Sequence, residues 1–406
     1  MRPSAAILSV GNEVLRGSVV NTNAAFLGRE LSNIGFEVIS HGVCSDSQEA
    51  IRFRLGDVLR RADLIIVMGG LGPTPDDVTR EGIAAHFKVP LVFSLDQYRR
   101  LQKIYKRFGK RMPAIVKREA FYPKNAKPLI NRFGIALGFS IEAAQKIVIA
   151  LPGVPSELIN MYFDVVLPLL KKKYGALAAN RKLVVRMAGI SEPDVMKKLG
   201  EDFFEDSFDF GIYPSAGEIG IRILSDSAPV LRRLKKKIAT RLQDWIYTWD
   251  ETLLSAIIGR ILTKKRKTLA MAESCTGGLL ASRITAIPGA SAFFRGATIA
   301  YHPLVKQKLG VPEKVIRKYG EVSAQVAGEL AKGVRARMES DYGIGITGIA
   351  GPGGGSSKKP VGLIYIGLAS PDGKVRTWKF VFLGERHQVQ DKAAVKALEC
   401  LWRKIR

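Results

Sequence analysis

Continuous apolar runs and amphipathic stretches alternate along most of the chain. Ala5–Val10 is a strand-like run interrupted only by Ser9, and Leu64-Ile65-Ile66-Val67-Met68 is an unbroken apolar run, the pattern of a strand buried on both faces. Phe36–Ser40 and Lys146–Leu151 read as further strands. Asn23–Ile34 carries Phe26, Leu27 and Leu31 on one face, as a helix does. Gln48–Arg61 reads as a second helix, and another begins at Ser156. Strands alternating with helices predict a doubly wound α/β domain over residues 1–170.

The pattern changes over residues 171–250. Lys171-Lys172-Lys173-Tyr174-Gly175 closes a helix; strand Leu183–Ala188, helix Glu192–Leu199, strand Gly217–Leu224 and a basic helix follow. This is a small α+β module, KH-like in that Gly217-Glu218-Ile219-Gly220 is a formal GxxG. Its inner residues are an acid and an isoleucine, and the tract reads as strand, which speaks against a nucleic-acid clamp. Alternation returns over 251–406, a C-terminal α/β domain. Strands are expected at 268–272, 295–301, 342–347, 361–368 and 375–382, and helices at 252–263, 275–286, 323–338 and 388–402.

Composition adds little to the fold but bounds the setting. The chain is 47% apolar and 25% charged, ordinary globular material with no apolar run of membrane-spanning length. Cys44, Cys275 and Cys400 are too few and too scattered for a disulfide framework, so a reducing cytoplasm is expected. Net charge is +26. Between Arg99 and Lys127 eleven basic residues accompany one acid, Glu119. These runs alternate with Leu101, Ile104, Tyr105 and Phe108, as solvated helix faces do. Aromatic residues are not interleaved as stacking platforms, so a nucleic-acid partner is not expected. A DNA-associated role stays open as the alternative that the charge allows.

Candidate chemistry falls in two places. In the first domain, three glycine turns follow strands: Gly11-Asn12-Glu13, then Gly69-Gly70-Leu71-Gly72-Pro73-Thr74-Pro75-Asp76-Asp77, then Pro152-Gly153-Val154. In open α/β sheets the ligand crevice lies at such strand ends, where backbone amides approach phosphate closely. Glu13, Asp46, Asp76, Asp77 and Glu157 accompany these turns and suit a divalent cation. Dipole compensation by first-turn acids explains any single turn equally well.

In the last domain, Ala272-Glu273-Ser274-Cys275-Thr276-Gly277-Gly278 stands between an apolar strand and a helix carrying Leu279, Leu280 and Ile284. Ser274 there is either an N-cap or a nucleophile. The amides of Gly277 and Gly278 are candidate oxyanion donors. Tyr301 and Lys306 lie on the next strand-to-helix segment, Thr347 opens the loop with Gly351, Gly353 and Gly354, and Arg386 precedes the last helix. A lysine desolvated enough to lose its proton serves a serine as base. Cys275 with His302 is the rival pair.

Gly11–Asn23, the stretch GGLGPTPDDVTRE at 69–81 and LPGVPSEL at 151–158 resemble the N-terminal domain of the CinA family. AESCTGGLLASRIT, Tyr301 with Lys306, TGIAGPGGGS and Lys359-Pro360-Val361-Gly362 resemble its C-terminal domain. The resemblance implies a molybdopterin-binding-like fold first. There a metal-dependent ADP-ribose pyrophosphatase would bind nucleotide at Gly11, Asn12, Asn23, Gly69, Gly70, Gly72, Thr74 and Gly153. It implies a nicotinamide mononucleotide amidohydrolase last, needing no cofactor, with Ser274 as nucleophile, Lys306 as base, and Tyr301 and Arg386 in the site. It also implies a homodimer. The chain departs from the family pattern at Ile135 and Leu137, at His302-Pro303 and at Gln390.

Overall fold

Leu64–Met68, buried at every position, is central to the first sheet. In the computed structural model, which describes residues 2–175 and 181–406, it pairs in parallel with Ser4–Val10 on one side and Lys146–Leu151 on the other. Glu37–Cys44 lies in parallel beyond Ser4–Val10, and Gly138–Ala143 and Lys127–Leu129 extend the far edge antiparallel. Successive side chains of Ser4–Val10 feed two cores. Ala5 and Ile7 meet Phe26, Leu27 and Leu31 of helix Thr22–Asn33. Ala6, Leu8 and Val10 meet Ile51, Leu55 and Val58 of helix Gln48–Arg61. Asn21 and Ser47 start these helices by accepting the Ala24 and Ala50 amides. Strand order reverses between the first and third strands, so the crevice opens at their carboxyl ends.

The chain divides into two compact units, 1–180 and 181–406. The second holds two sheets. One is antiparallel, in the order Asp209–Ser215, Glu218–Ser225, Arg181–Ala188, Ile246–Thr248. Helices Glu192–Leu199 and Ala228–Leu242 pack on it through Val195, Leu199, Leu234, Ile238 and Leu242. This is the α+β module, although 176–180 lie outside the described residues. Gly220 is inside a strand, and Glu218 is buried and accepts the Tyr247 hydroxyl, so the GxxG tract is not an open loop.

The other sheet carries Phe294–Ile299, Leu269–Glu273, Tyr342–Gly348, Leu363–Ala369 and Val375–Val381 in that order. Its first three strands are parallel and the last two antiparallel. Helix Arg386–Ile405 covers one face through Val389, Ala393, Ala397 and Leu401. Helix Ala324–Arg337 covers the other through Val326, Leu330 and Val334. The basic runs are outer helix faces: Leu95–Arg107 buries only Gln97 and Leu101, and Arg233, Lys237 and Arg241 of Ala228–Leu242 pair with Asp206 and Asp202. Among the described residues, no helix is long and apolar enough to cross a membrane, and all three cysteines are free and buried.

Candidate functional site

The three glycine turns of the first unit line one cavity of about 620 Å³. Gly11, Asn23, Gly69, Gly70, Gly72 and Gly153 face it together with Glu13, Asp46, Asp76, Asp77 and Glu157. Glycine is required at Gly69 and Gly70, both at positive φ, because a Cβ there would meet the Val10 carbonyl oxygen at 2.2 Å and Thr79 Oγ1 at 2.3 Å. Asn12 and Thr74 act instead from behind. The Asn12 amide donates to Asp46 Oδ2 at 2.8 Å, and the Thr74 hydroxyl lies 2.5 Å from both Asp76 Oδ1 and Asp77 Oδ2. Ile135 lines the cavity where the family carries a hydroxyl.

The expected divalent-cation set is not assembled. The five carboxylates share the cavity, yet among the described residues no three acidic, histidine or cysteine side chains converge to hold a metal ion. The cause lies in their partners. Asp76 and Asp77 close on Thr74, Asp46 on the Asn12 amide, and Glu157 accepts Asn131 Nδ2 at 2.5 Å. The arrangement therefore does not fit a cation on its own, and no chemical step is routed through one.

Glu119 also lines this cavity, and the sequence patterns do not single it out as a site residue. It is 1% exposed, its Oε2 has no hydrogen-bond partner, and burial pushes its carboxyl up to about 7. Its one signal was its isolation: a single acid within a strongly basic stretch.

The second cavity, about 280 Å³, lies in the C-terminal α/β domain. It gathers Ser274, Tyr301, Lys306, Thr347, Gly351, Gly353, Gly354 and Arg386, which are far apart in sequence. Parallel pairing explains the convergence: Leu269–Glu273 lies between Phe294–Ile299 and Tyr342–Gly348, so the segments leaving all three strands meet at one sheet end. The Ser274 amide donates to the Ile346 carbonyl at 3.0 Å and fixes the start of its loop.

The loop itself corrects one expectation. The helix starts at Leu279 rather than 275, because the carboxylate of fully buried Glu273 takes over its first amides. Gly278 and Leu280 donate to Glu273 Oε2 at 3.0 and 3.1 Å, and Ala281 donates to Oε1 at 2.8 Å. The Gly277 amide donates to the Ser274 carbonyl at 3.1 Å. Both expected oxyanion donors, Gly277 and Gly278, are thus engaged inside the loop, and neither lines the cavity. Ser274 is not the helix N-cap; Gly278 occupies that position.

Lys306 is 2% exposed on helix Pro303–Lys308, which His302 caps by accepting the Leu304 amide. Its ammonium donates to Glu321 Oε2 at 2.5 Å and to the Tyr301 carbonyl at 3.4 Å. Arg386 donates to the Gly351 carbonyl at 2.7 Å and to the Tyr301 hydroxyl at 3.1 Å. Gln390 Nε2 donates to the Cys275 carbonyl at 2.7 Å, tying the last helix to the loop that carries Ser274. Burial pushes the Cys275 thiol up to about 12, and His302 does not line the cavity, so the Cys275–His302 pair is not assembled. Glu321 had no signal in the sequence; it enters from the loop between two helices.

The chain is similar to known proteins over nearly its full length. Residues 251–405 match the family described as CinA C-terminal domain, and residues 6–172 match the probable molybdopterin binding domain. A competence-damage inducible protein of Halothermothrix orenii is 38% identical over 99% of this chain and 98% of its own length. Its counterpart in Moorella thermoacetica is 39% identical over 99% of each. Among solved structures, a CinA protein of unknown function from Thermoplasma acidophilum is 34% identical, covering 42% of this chain and 97% of its own, at a TM-score of 0.38.

Proposed function

The chain belongs to the CinA, or competence/damage-inducible, family, and from that premise we propose that its C-terminal domain hydrolyses the carboxamide of nicotinamide mononucleotide. The observation that supports this most is the gathering of Ser274, Lys306, Tyr301 and Arg386 on one small cavity. A buried lysine that lines the same cavity as a serine at a strand end suits acyl transfer without histidine.

The reaction runs in two halves. Ser274 Oγ bonds to the carboxamide carbon while Lys306, as the amine, takes the hydroxyl proton. With Gly277 and Gly278 engaged, the oxyanion falls to the amide of Cys275, the residue after the nucleophile. Collapse breaks the carbon–nitrogen bond, and Lys306 returns the proton to the departing nitrogen as ammonia leaves. Water then attacks the ester, Lys306 relays its proton to Ser274 Oγ, and nicotinate mononucleotide departs. In this reading Arg386, which lines the cavity with the glycine loop, binds the substrate phosphate. Each proton is carried by the chain's own groups, so EDTA is expected to leave this activity intact. Ammonia release from nicotinamide mononucleotide by Lys306→Met tests the reading: a loss of at least ~100-fold is expected, and full activity would refute it.

A second proposal concerns the first unit. Its cavity lies where doubly wound sheets bind nucleotides, and ADP-ribose is the ligand that family resemblance offers. Calorimetry with ADP-ribose, with and without a divalent cation, tests it; no heat in either titration would sink it.

A further inference from the structure

We propose that the cavity of the first unit binds an extended organic polyamine, its ammonium groups spread along the lining carboxylates and one of them donating to Glu119 Oε2. The proposal goes beyond both functional readings above and starts from the misfit between this cavity and a metal ion.

Six carboxylates line the cavity: Glu13, Asp46, Asp76, Asp77, Glu119 and Glu157. None of the lining residues is a lysine, arginine or histidine, although the chain carries a net charge of +26. Three arginines of the neighbouring segments spend their guanidinium groups on backbone instead. Arg80 donates to the carbonyls of Leu71 and Gly72, Arg100 to those of Asn131 and Gly134, and Arg118 to those of Thr74 and Asp77. The carboxylates act on one another. Burial raises the Asp46 carboxyl, and the negative charges of Glu13, Asp76 and Asp77 add to the effect. The cavity therefore favours a cation, against the charge of the chain as a whole.

Glu119 points to a ligand independently of this cluster. It is 1% exposed, it lines the cavity, and its Oε2 has no hydrogen-bond partner among the described residues. A buried acceptor left unsatisfied costs about 1–3 kcal/mol. An ammonium entering the cavity satisfies it with a charge-assisted hydrogen bond.

The spread of charge selects the shape of the cation. Asp76 and Asp77 are drawn to Thr74, Asp46 to the Asn12 amide and Glu157 to Asn131, so no three of the carboxylates converge as a metal ion requires. The negative charge is distributed over a cavity of about 620 Å³ rather than focused at a point. A flexible chain with ammonium groups several bonds apart matches such a distribution; a compact divalent ion does not. Val14, Val19 and Val20 line the same cavity and offer an apolar wall to the methylene segments between the charges. A pyrophosphate entering alone meets six carboxylates, and a bound polyamine supplies the counter-charge.

The experiment is equilibrium dialysis of the full chain against radiolabelled spermidine at pH 8 and low ionic strength. Wild type, Glu119→Gln and Glu313→Gln are compared, with circular dichroism to establish that each is folded. One spermidine per chain is expected. Glu119→Gln keeps the shape and removes the charge, and a loss of at least ~10-fold in affinity is expected. Glu313, on the outer helix Glu313–Tyr319, controls for attraction by any surface acid, and its variant is expected to stay within about twofold of wild type. Equimolar magnesium chloride is expected to leave spermidine bound. No binding by wild type, wild-type affinity in folded Glu119→Gln, or displacement by equimolar magnesium would overturn the proposal. The dialysis contains no nucleotide, so its outcome is independent of the ADP-ribose reading.

Discussion

Glu273 Oε2 accepts the amide of Gly278 at 3.0 Å, and with it the residue before Ser274 dictates where the next helix begins. The same carboxylate takes the amides of Leu280 and Ala281, so one fully buried side chain satisfies three donors that a helix start would otherwise leave orphaned. Replacing Glu273 by alanine strands those donors away from water. A loss of about 3 kcal/mol is expected, read as a lower urea midpoint. Glu273→Gln keeps one acceptor oxygen and is expected to lose less. Equal midpoints for wild type and alanine variant would show that the loop does not depend on this carboxylate.

Cys275 adjoins Ser274, the proposed nucleophile, but is built into the core. With its thiol pushed up to about 12 by burial, almost none is thiolate at neutral pH. Cys275→Ala is therefore expected to keep ammonia release within a few-fold, and the wild type to resist iodoacetamide under native conditions. Abolished activity in a folded Cys275→Ala protein would move the nucleophile from Ser274 to Cys275.

Gln390, where the chain departs from the pattern that the family resemblance implies, reaches the Cys275 carbonyl with its amide at 2.7 Å. The departure thus supplies a tether to the loop that presents Ser274. Gln390→Ala is expected to lower kcat by roughly tenfold through a looser loop, with a stability change near ~1 kcal/mol. A change in KM alone would instead assign Gln390 to substrate binding.

Glu119 makes the stability of the first unit depend on pH. Its carboxyl is raised from its ordinary 4.5 to about 7 by burial, so the folded state binds the extra proton between those values. The stabilisation is complete below the unfolded value and is lost as pH rises through about 7. Glu119→Gln, which cannot ionise, is expected to match wild type near pH 4.5 and to exceed it by about 3 kcal/mol at pH 8. Denaturation curves at the two pH values check this; a constant difference would contradict it.

Strands built on long apolar runs were legible to the residue: Leu64–Met68 and Lys146–Leu151 coincide with their sequence boundaries. So did helix Gln48–Arg61, because Ser47 caps it and two arginines close it. The short helix Glu313–Tyr319 was not legible, since it buries no residue fully and only adjacent Val315 and Ile316 pack on a core, too short a pattern to show a helical period. The gathering of Ser274, Lys306 and Arg386 on one cavity was expected from the family resemblance of the motifs that carry them. The loss of the oxyanion donors was not, because a buried glutamate captured the amides through a contact that no local spacing announces. Glu321 was invisible for a related reason: it belongs to a loop, and Thr347 and Lys359 set its place from distant strands and turns.

The central claim is tested most directly by measuring ammonia release from nicotinamide mononucleotide by wild type and Ser274→Ala, each with and without EDTA. EDTA-resistant release by wild type that falls by several orders of magnitude in Ser274→Ala is the expected result. No release by wild type, or undiminished release by a folded Ser274→Ala protein, would contradict the account.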